Sequence, residues 1–141
     1  MRLELTRRYA FAASHRLHSQ RLSQAENQRI YGKCNNPYGH GHNYVAEVTV
    51  TGPLNPATGM IAHLKELDQF VAREVLEPFD HMNLNEDVPA FRTRVPTTEN
   101  LCIEIFERLR QFPGARLVRI RLEETGRNSF EYAGEPHGSR T

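Results

Sequence analysis

The chain lacks the features that mark secreted, membrane and nucleic-acid-binding proteins. It has only two cysteines, Cys34 and Cys102, too few for a disulfide framework, so we expect free thiols in a reducing compartment. No apolar stretch exceeds a few residues, which predicts neither a membrane span nor a signal peptide and favours the cytoplasm. The 18 Lys and Arg residues nearly balance the 17 Asp and Glu residues. With a net charge of only +1, no bulk field attracts nucleic acid or an anionic membrane, and any anionic ligand must be held by local groups.

Internal repeats and low-complexity stretches are absent as well. The 141 residues, 38% hydrophobic and 25% charged, are typical of one globular domain with a single core. We therefore treat residues 1–141 as one domain. Within it, residues 134–141 are only turn-forming and polar, and we expect them to fray.

Two segments alternate between apolar and polar residues with period 2, the pattern of a half-buried strand. The first covers residues 3–15 and the second covers residues 42–50. Extending the second pattern backwards places His42 and His40 on its apolar face. Residues 16–39, between the two, show no sustained periodicity and end in a stretch rich in Gly, Asn and Pro, so we expect a long loop there.

Apolar residues at helical spacing follow in two places. Residues 64–75 predict a helix that Pro78 ends. Residues 97–109 predict a second helix with a hydroxyl cap and an i,i+4 pair of Glu104 with Arg108.

Two further strands are expected near the end of the chain, at residues 118–124 and 130–133, with Val118, Ile120 and Leu122 facing the core. The order of elements is therefore β-β-α-α-β-β, without βαβ alternation. This order predicts an α+β domain, in which an antiparallel four-stranded sheet is covered on one face by two helices.

Histidine is the unusual residue of the composition, with seven copies. His40 and His42 lie two apart on a strand, so their side chains point the same way and can converge on one ion. His15 ends the first strand on its apolar face, and antiparallel pairing of the two strands places it beside the other two. Three neutral imidazoles leave a fourth tetrahedral position open, as in a catalytic zinc site. The alternative interpretation of the His40–His42 pair is a merely polar strand start.

Two other groups carry proton chemistry. Cys34 lies in the loop next to Lys33, where a cation or a metal lowers a thiol pKa and favours the thiolate; an ordinary loop cysteine is the alternative. In Asp80–His81 a carboxylate can orient an imidazole to form a general base or to activate a thiol. Cys102, on the apolar stripe of the second helix, is interpreted as a small buried hydrophobe.

Glu124 falls on the apolar side of its strand, whereas Glu123 points outward. A buried carboxylate needs a partner, such as the adjacent N–H donors of a pterin or guanine edge. An exposed strand end is the alternative explanation. Thr98 and Glu99 start the second helix, and their ordinary role is helix capping.

Several motifs occur in a fixed order along the chain. They are FAASH at residues 11–15, GKCNNPYGHGHNY at 32–44, NPATGM at 55–60, DHMNL at 80–84, TTEN at 97–100 and ET at 124–125. Together they resemble the 6-pyruvoyl-tetrahydropterin synthase family, and the resemblance runs from Leu5 to about Glu135. The long middle motif is the most specific of them.

The resemblance implies a function for each group. It implies zinc bound by His15, His40 and His42, a catalytic group of Cys34, Asp80 and His81, and a pterin pocket with Glu124 as anchor and Thr98 and Glu99 nearby. It also implies a tunnelling fold, in which three sheets close into a barrel and two barrels stack into a homohexamer. Asp80 and His81 then reach the site from a neighbouring subunit.

The implied reaction converts 7,8-dihydroneopterin triphosphate into 6-pyruvoyl-tetrahydropterin and inorganic triphosphate, a carbon-oxygen lyase step in tetrahydrobiopterin biosynthesis. Cys34 would act as base and proton relay. Nucleic acid and membranes are not expected partners. By position, Arg16, Arg29 and Lys33 are candidates for contact with the triphosphate.

Other functions remain open from the sequence. The 6-carboxy-tetrahydropterin synthase of queuosine biosynthesis is the nearest alternative, but its cysteine usually precedes the first histidine of the pair by four positions, whereas Cys34 precedes His40 by six. A relative that forms a hydroxymethyl pterin has glutamate in place of the cysteine. A zinc hydrolase and a non-catalytic zinc- and pterin-binding module are further alternatives. His63 departs from the Asn or Asp usual in these enzymes.

Overall fold

The computed structural model describes residues 3–135 as an α+β domain built on one five-stranded sheet, with strand order β3-β1-β2-β4-β5. The strands are β1 (Glu4–His15), β2 (His40–Thr51), β3 (Met82–Asn83), β4 (Arg116–Thr125) and β5 (Asn128–Tyr132). The pairings are antiparallel except that of β3, which runs parallel to β1. The sheet is not closed on itself. The expected count of four strands is wrong by one, because Met82 and Asn83, between the two expected helices, pair with the edge of β1.

The pairing of β1 with β2 confirms the register inferred from the alternation. His15 lies opposite His40, and Ala13 lies opposite His42. Because side chains of opposed residues lie on the same face of a sheet, the three histidines share one face at one end of the two strands.

The helices are α1 (Gln24–Tyr31), α2 (Leu64–Val71), α3 (Glu77–Phe79), α4 (Leu84–Asp87) and α5 (Thr98–Leu109). The two expected helices correspond to α2 and α5, and the Glu104–Arg108 pair is present at 2.8 Å. Pro78 does not end the first of them. A wide π-helical turn at Ala72–Leu76 joins α2 to α3, and Pro78 lies in the first turn of α3, where its missing N–H is tolerated.

Helix α1 corrects the expectation of a loop over residues 16–39. Ser23 and Glu26 form a capping box, in which the Ser23 hydroxyl accepts from the Glu26 N–H and the Glu26 carboxylate accepts from the Ser23 N–H. The helix has no apolar stripe, since its fully buried residue is Asn27, and hydrophobic periodicity therefore misses it.

The core lies between the helices and one face of the sheet, with residues such as Tyr44, Val71, Ile105 and Ile120 fully buried. The opposite face carries ion pairs, among them Arg8–Glu47 and Arg119–Glu4.

A register shift between β2 and β4 changes which residues of β4 face the core. The shift falls at Thr49 and Val50, so that Thr49 lies opposite Arg119 and Val50 lies opposite Leu117. Leu117 is consequently buried in place of Val118, which corrects the predicted alternation at the start of β4.

Among residues 3–135, no helix combines the length and the apolar content that a membrane crossing requires. Of the tail expected to fray, residues 136–141 lie outside the described part of the chain. Both cysteines are free thiols, as expected. Cys102 is buried against the sheet, and its burial raises its pKa to about 12.

Candidate functional site

The three histidines come together where β1 ends and β2 begins. The ring centroid of His15 lies 5.3 Å from that of His40 and 5.0 Å from that of His42, and the rings of His40 and His42 are 4.6 Å apart. His15 is 1% exposed, which is uncommon for a polar ring. We refer to these three residues as the histidine cluster.

The tautomer of His15 follows from its contact with the backbone. Its Nδ1 lies 2.9 Å from the carbonyl oxygen of Pro96. A carbonyl can only accept, so Nδ1 carries the hydrogen and Nε2 carries a free electron pair. Burial lowers the pKa of His15 to about 4, although the Pro96 carbonyl acts in the opposite direction. The ring is therefore neutral at pH 7, the form in which an imidazole binds a metal.

The donor atoms that could hold a metal ion form two groups around His15, and neither group contains all three histidines. Within the described residues, the Nε2 atoms of His15 and His42 are buried without a hydrogen-bond partner. Such atoms are rare unless an unseen ion or ligand satisfies them. Two overlapping groups have ligand atoms within 4.8 Å of one another: His15 with Cys34 and His40, and His15 with His42 and Glu124. His15 is common to both groups, so it is the donor around which either group could hold a metal ion.

Cys34 lies beside the cluster, with its Sγ 2.9 Å from Nε2 of His40. A turn of 3-10 helix at Gly32–Asn35 presents it, and the Leu17 N–H donates to the Cys34 carbonyl. Burial, and secondarily the charge of Glu124, raise the pKa of the thiol. The expectation that the neighbouring Lys33 favours the thiolate is therefore wrong for the chain by itself.

Glu124 lies on the core side of β4, as its parity predicts, and its side chain is 16% exposed. A register shift between Glu123 and Thr125 in the pairing with β5 marks a bulge at this point. The hydroxyl of Thr98 donates to the Glu124 carboxylate at 2.5 Å, and the other near group is Nε2 of His42 at 3.7 Å. A half-buried carboxylate with one hydroxyl donor keeps capacity for further donors.

Of the residues at the start of α5, Thr97 caps the helix and Thr98 belongs to the candidate site. Thr97 is the N-cap, with its hydroxyl accepting from the Asn100 N–H. Thr98 is buried and bonded to Glu124, so it does more than cap the helix. Glu99 is exposed in the first turn, and its side chain has no hydrogen bond or ion pair to another described residue.

The Asp80–His81 pair lies next to the edge strand β3, and His81 lines one cavity together with His42. Oδ1 of Asp80 lies 3.1 Å from Nδ1 of His81 and also accepts the Ala12 N–H at 2.9 Å. The His81 side chain is 83% exposed, and its backbone has a φ of 62°, a left-handed conformation. Among the described residues, neither side chain bonds to Cys34. One chain alone does not assemble the expected group of three.

Three contacts that hold site residues in place could not be predicted from the alternation of apolar and polar residues. The side chain of Asn85 clamps the backbone of Arg16, accepting from its N–H at 2.7 Å and donating to its carbonyl at 2.9 Å. The buried Asn35 donates to the Leu17 carbonyl and supports the Cys34 turn. The Pro96 carbonyl orients His15, and because it is a backbone atom no residue type could have marked it.

His63, which the sequence left without a role, has one in the structure. It is the N-cap of α2, where its Nδ1 accepts from the Glu66 N–H at 3.4 Å. The departure from Asn or Asp at this position therefore preserves an acceptor side chain at the helix start.

Comparison with known proteins agrees with this geometry. A sequence profile described as 6-pyruvoyl tetrahydropterin synthase matches residues 4–135. The chain is 48% identical over 132 residues to a 6-pyruvoyl tetrahydrobiopterin synthase of Poecilia reticulata, covering 93% of this chain and 90% of the relative. It is 45% identical over 133 residues to the Homo sapiens protein of the same name, covering 94% and 92%.

A solved structure extends the agreement to the fold. The 6-pyruvoyl tetrahydropterin synthase of Caenorhabditis elegans superposes with a TM-score of 0.91 at 42% identity, covering 96% of this chain and 97% of that one. The profile match at residues 4–135 spans all five strands and the positions of the candidate site residues. The chain belongs to the 6-pyruvoyl tetrahydropterin synthase family.

Proposed function

We propose that the chain is a zinc-dependent lyase that converts 7,8-dihydroneopterin triphosphate into 6-pyruvoyl-tetrahydropterin and inorganic triphosphate. The observation that carries the proposal is that three kinds of functional group lie close together. Unpartnered imidazole nitrogens, the Cys34 thiol 2.9 Å from His40, and the Glu124 carboxylate 3.7 Å from His42 lie on one side of the sheet. The names of the similar proteins in Poecilia reticulata and Homo sapiens support the same reaction.

In this proposal His15, His40 and His42 hold the zinc ion. Burial lowers the pKa of both His15 and His42, which favours the neutral, metal-binding form of these two rings. When bound, zinc supplies Lewis acidity, which makes the carbon-bound protons of the substrate side chain easier to remove. The Pro96 carbonyl keeps Nε2 of His15 available by holding the hydrogen on Nδ1.

Cys34 is the proposed base that takes a proton from the substrate side chain. Because burial and Glu124 raise its pKa in the chain alone, it needs a partner that accepts its proton. We assign that role to His81, oriented by Asp80, from a neighbouring subunit. The 83% exposure of the His81 side chain leaves it free to enter a site on another copy.

Glu124 is the proposed anchor of the pterin ring. A carboxylate presents two oxygens that can accept adjacent N–H groups of the ring, and Thr98 already holds one of them. We place Glu99 at the rim of the same pocket, because it is exposed in the turn that begins with Thr98.

The proposed assembly is a homohexamer of two stacked trimers, acting in the cytoplasm, each chain being a single domain over residues 1–141. The open sheet supports it, since β3 and β5 are edge strands whose backbone groups can pair with another copy. A trimeric barrel would remove these edges.

The reaction is tested by mass analysis of the product formed from 7,8-dihydroneopterin triphosphate. We expect the mass of 6-pyruvoyl-tetrahydropterin together with one equivalent of inorganic triphosphate. A carboxy or hydroxymethyl pterin would reassign the reaction within the family. Unchanged substrate on metal-loaded protein would refute the enzymatic proposal and favour a non-catalytic binding module.

A further inference from the structure

A cavity of about 680 Å³ lies beside His15, and cationic side chains form much of its lining. Four arginines and one histidine take part: Arg16, Arg21, Arg92, Arg94 and His18. The lining contains no Asp or Glu. In a chain whose net charge is only +1, this is a strong local concentration of positive charge.

Most of this charge is not neutralised within the chain. Arg94 bonds to Glu104 at 2.7 Å, which holds its guanidinium in place. Arg16, Arg21 and Arg92 form no ion pair with any residue in the described range 3–135. A guanidinium presents five N–H donors in a planar fork, so three of them leave many donors available.

The cavity is built from fixed parts as well as exposed ones. Nε of Arg16 donates to the Asn35 carbonyl at 3.1 Å, and Asn85 clamps the Arg16 backbone from the other side. The side-chain amide of Asn35 donates to Nδ1 of His18 at 3.1 Å. An amide nitrogen can only donate, so Nδ1 of His18 accepts and its Nε2 carries the remaining hydrogen. His18 is thus a further donor of the lining.

The cavity also borders the proposed metal site on the side of His15 and Pro96. Arg16 directly follows His15, and Pro96, whose carbonyl binds His15, belongs to the cavity wall. We propose that this cavity binds an oligophosphate group, whose several charged oxygens match the guanidinium forks of Arg16, Arg21 and Arg92. Of the three cations expected from sequence to meet phosphate, only Arg16 lines it. Arg29 and Lys33 are exposed elsewhere.

The binding is tested by titrating inorganic triphosphate into the metal-loaded protein in a calorimeter. Arg21 and Arg92 are exposed, so the double variant Arg21→Gln/Arg92→Gln keeps the fold while removing two guanidinium groups. We expect its dissociation constant to rise by about tenfold or more, with a larger effect at low salt. The matched control is Arg8→Gln/Arg110→Gln, which removes the same charge outside the cavity and leaves the affinity unchanged. Equal affinity of the cavity variant and the wild type would overturn the proposal, as would equal weakening by both variants.

The phosphate group can belong to the substrate or to a free oligophosphate, and kinetics separates the two sources. For the substrate's own triphosphate, the cavity variant raises KM for 7,8-dihydroneopterin triphosphate with kcat nearly unchanged, and added triphosphate competes with substrate. For a free ligand, KM stays the same and triphosphate binds alongside substrate. The calorimetric experiment requires no turnover, so a failure of the proposed reaction would leave this test intact.

Discussion

The histidine cluster and the Asp80–His81 pair lie at opposite extremes of burial on one sheet. His15 is 1% exposed, with an unpartnered Nε2 and a tautomer set by the Pro96 carbonyl. The His81 side chain is 83% exposed, and its contact is with the neighbouring carboxylate of Asp80. A buried nitrogen with a free electron pair and no partner requires a bound ligand, whereas the polar atoms of an exposed pair can form hydrogen bonds with water.

The difference shows how much of the site one chain can build. The proposed metal ligands and Cys34 converge within one chain, because β1 and β2 pair directly. The Asp80–His81 pair is held at the sheet edge, through the backbone of Ala12. In the proposed mechanism, the first region therefore needs only its ligand, whereas the second acts on another copy of the chain.

The sharpest test of the comparison is Cys34→Ala. If Cys34 is the base of the buried region, the substitution lowers kcat by about 10² to 10⁴. Metal content by elemental analysis and pterin binding by fluorescence stay at wild-type levels, because the three histidines and Glu124 are unchanged. Cys102→Ala is the control for a thiol without chemistry, and it leaves kcat unaltered. Full turnover by Cys34→Ala would contradict the mechanism.

Mixing variants tests whether the exposed pair acts on another copy. His81→Ala and Cys34→Ala are each expected to be inactive in turnover while still binding metal. When the two are unfolded together and reassembled, about a quarter of the sites combine an intact Cys34 with an intact His81 from a neighbour. Activity should return to about that fraction. If His81 serves the Cys34 of its own chain, every mixed site lacks one group and no activity returns.

Substitution of the carboxylate beside the cluster has a smaller expected effect. Glu124→Gln keeps the shape of the side chain but removes its charge, so the affinity for the pterin ring falls by about tenfold to a hundredfold, since charged hydrogen bonds contribute about 1.5–3 kcal/mol. The measurement is a fluorescence titration with 7,8-dihydroneopterin, which lacks the phosphates. Glu123→Gln, on the outward side of β4, is the control. Equal affinities of the two variants would argue against Glu124 as the anchor.

The smallest expected effect concerns Glu104. Unlike the carboxylate of Asp80, the Glu104 carboxylate forms ion pairs with two arginines of its own chain. Burial alone would raise the pKa of Glu104, but the hydrogen bonds from Arg108 and Arg94 outweigh it and lower the pKa. A lowered pKa in the folded state contributes stability above the ordinary carboxyl pKa, and this contribution is lost as the pH falls through the lowered value.

Glu104→Gln therefore lowers the free energy of unfolding by about 1 kcal/mol at pH 7, measured by urea denaturation. The difference from the wild type shrinks in acid. The more exposed Glu107, paired with Arg110, is the matched control, and Glu107→Gln changes stability by less than about 0.5 kcal/mol. A pH-independent difference for Glu104→Gln would show that its charge is not the cause.

Sequence periodicity was reliable wherever one strand face is buried. It predicted the register that joins His15 to His40, and it placed Glu124 on the core side of β4. It failed where structure does not depend on an apolar face. Helix α1 rests on a capping box around a buried Asn27, and the two residues of β3 are too few to show a period. A register shift beside Thr49 moved Leu117 into the core, which no alternation records.

The sequence by itself determined that His15, His40 and His42 lie on one face at one end of β1 and β2, because residues two apart on a strand must point the same way and antiparallel pairing brings strand ends together. It also determined the family through its long central motif. Only the tertiary structure decided which nitrogen of His15 is free, that Cys34 meets His40, and that His81 faces outward. The first of these contacts joins residues 81 positions apart, and the other two features depend on the paths of loops, which local pattern does not fix.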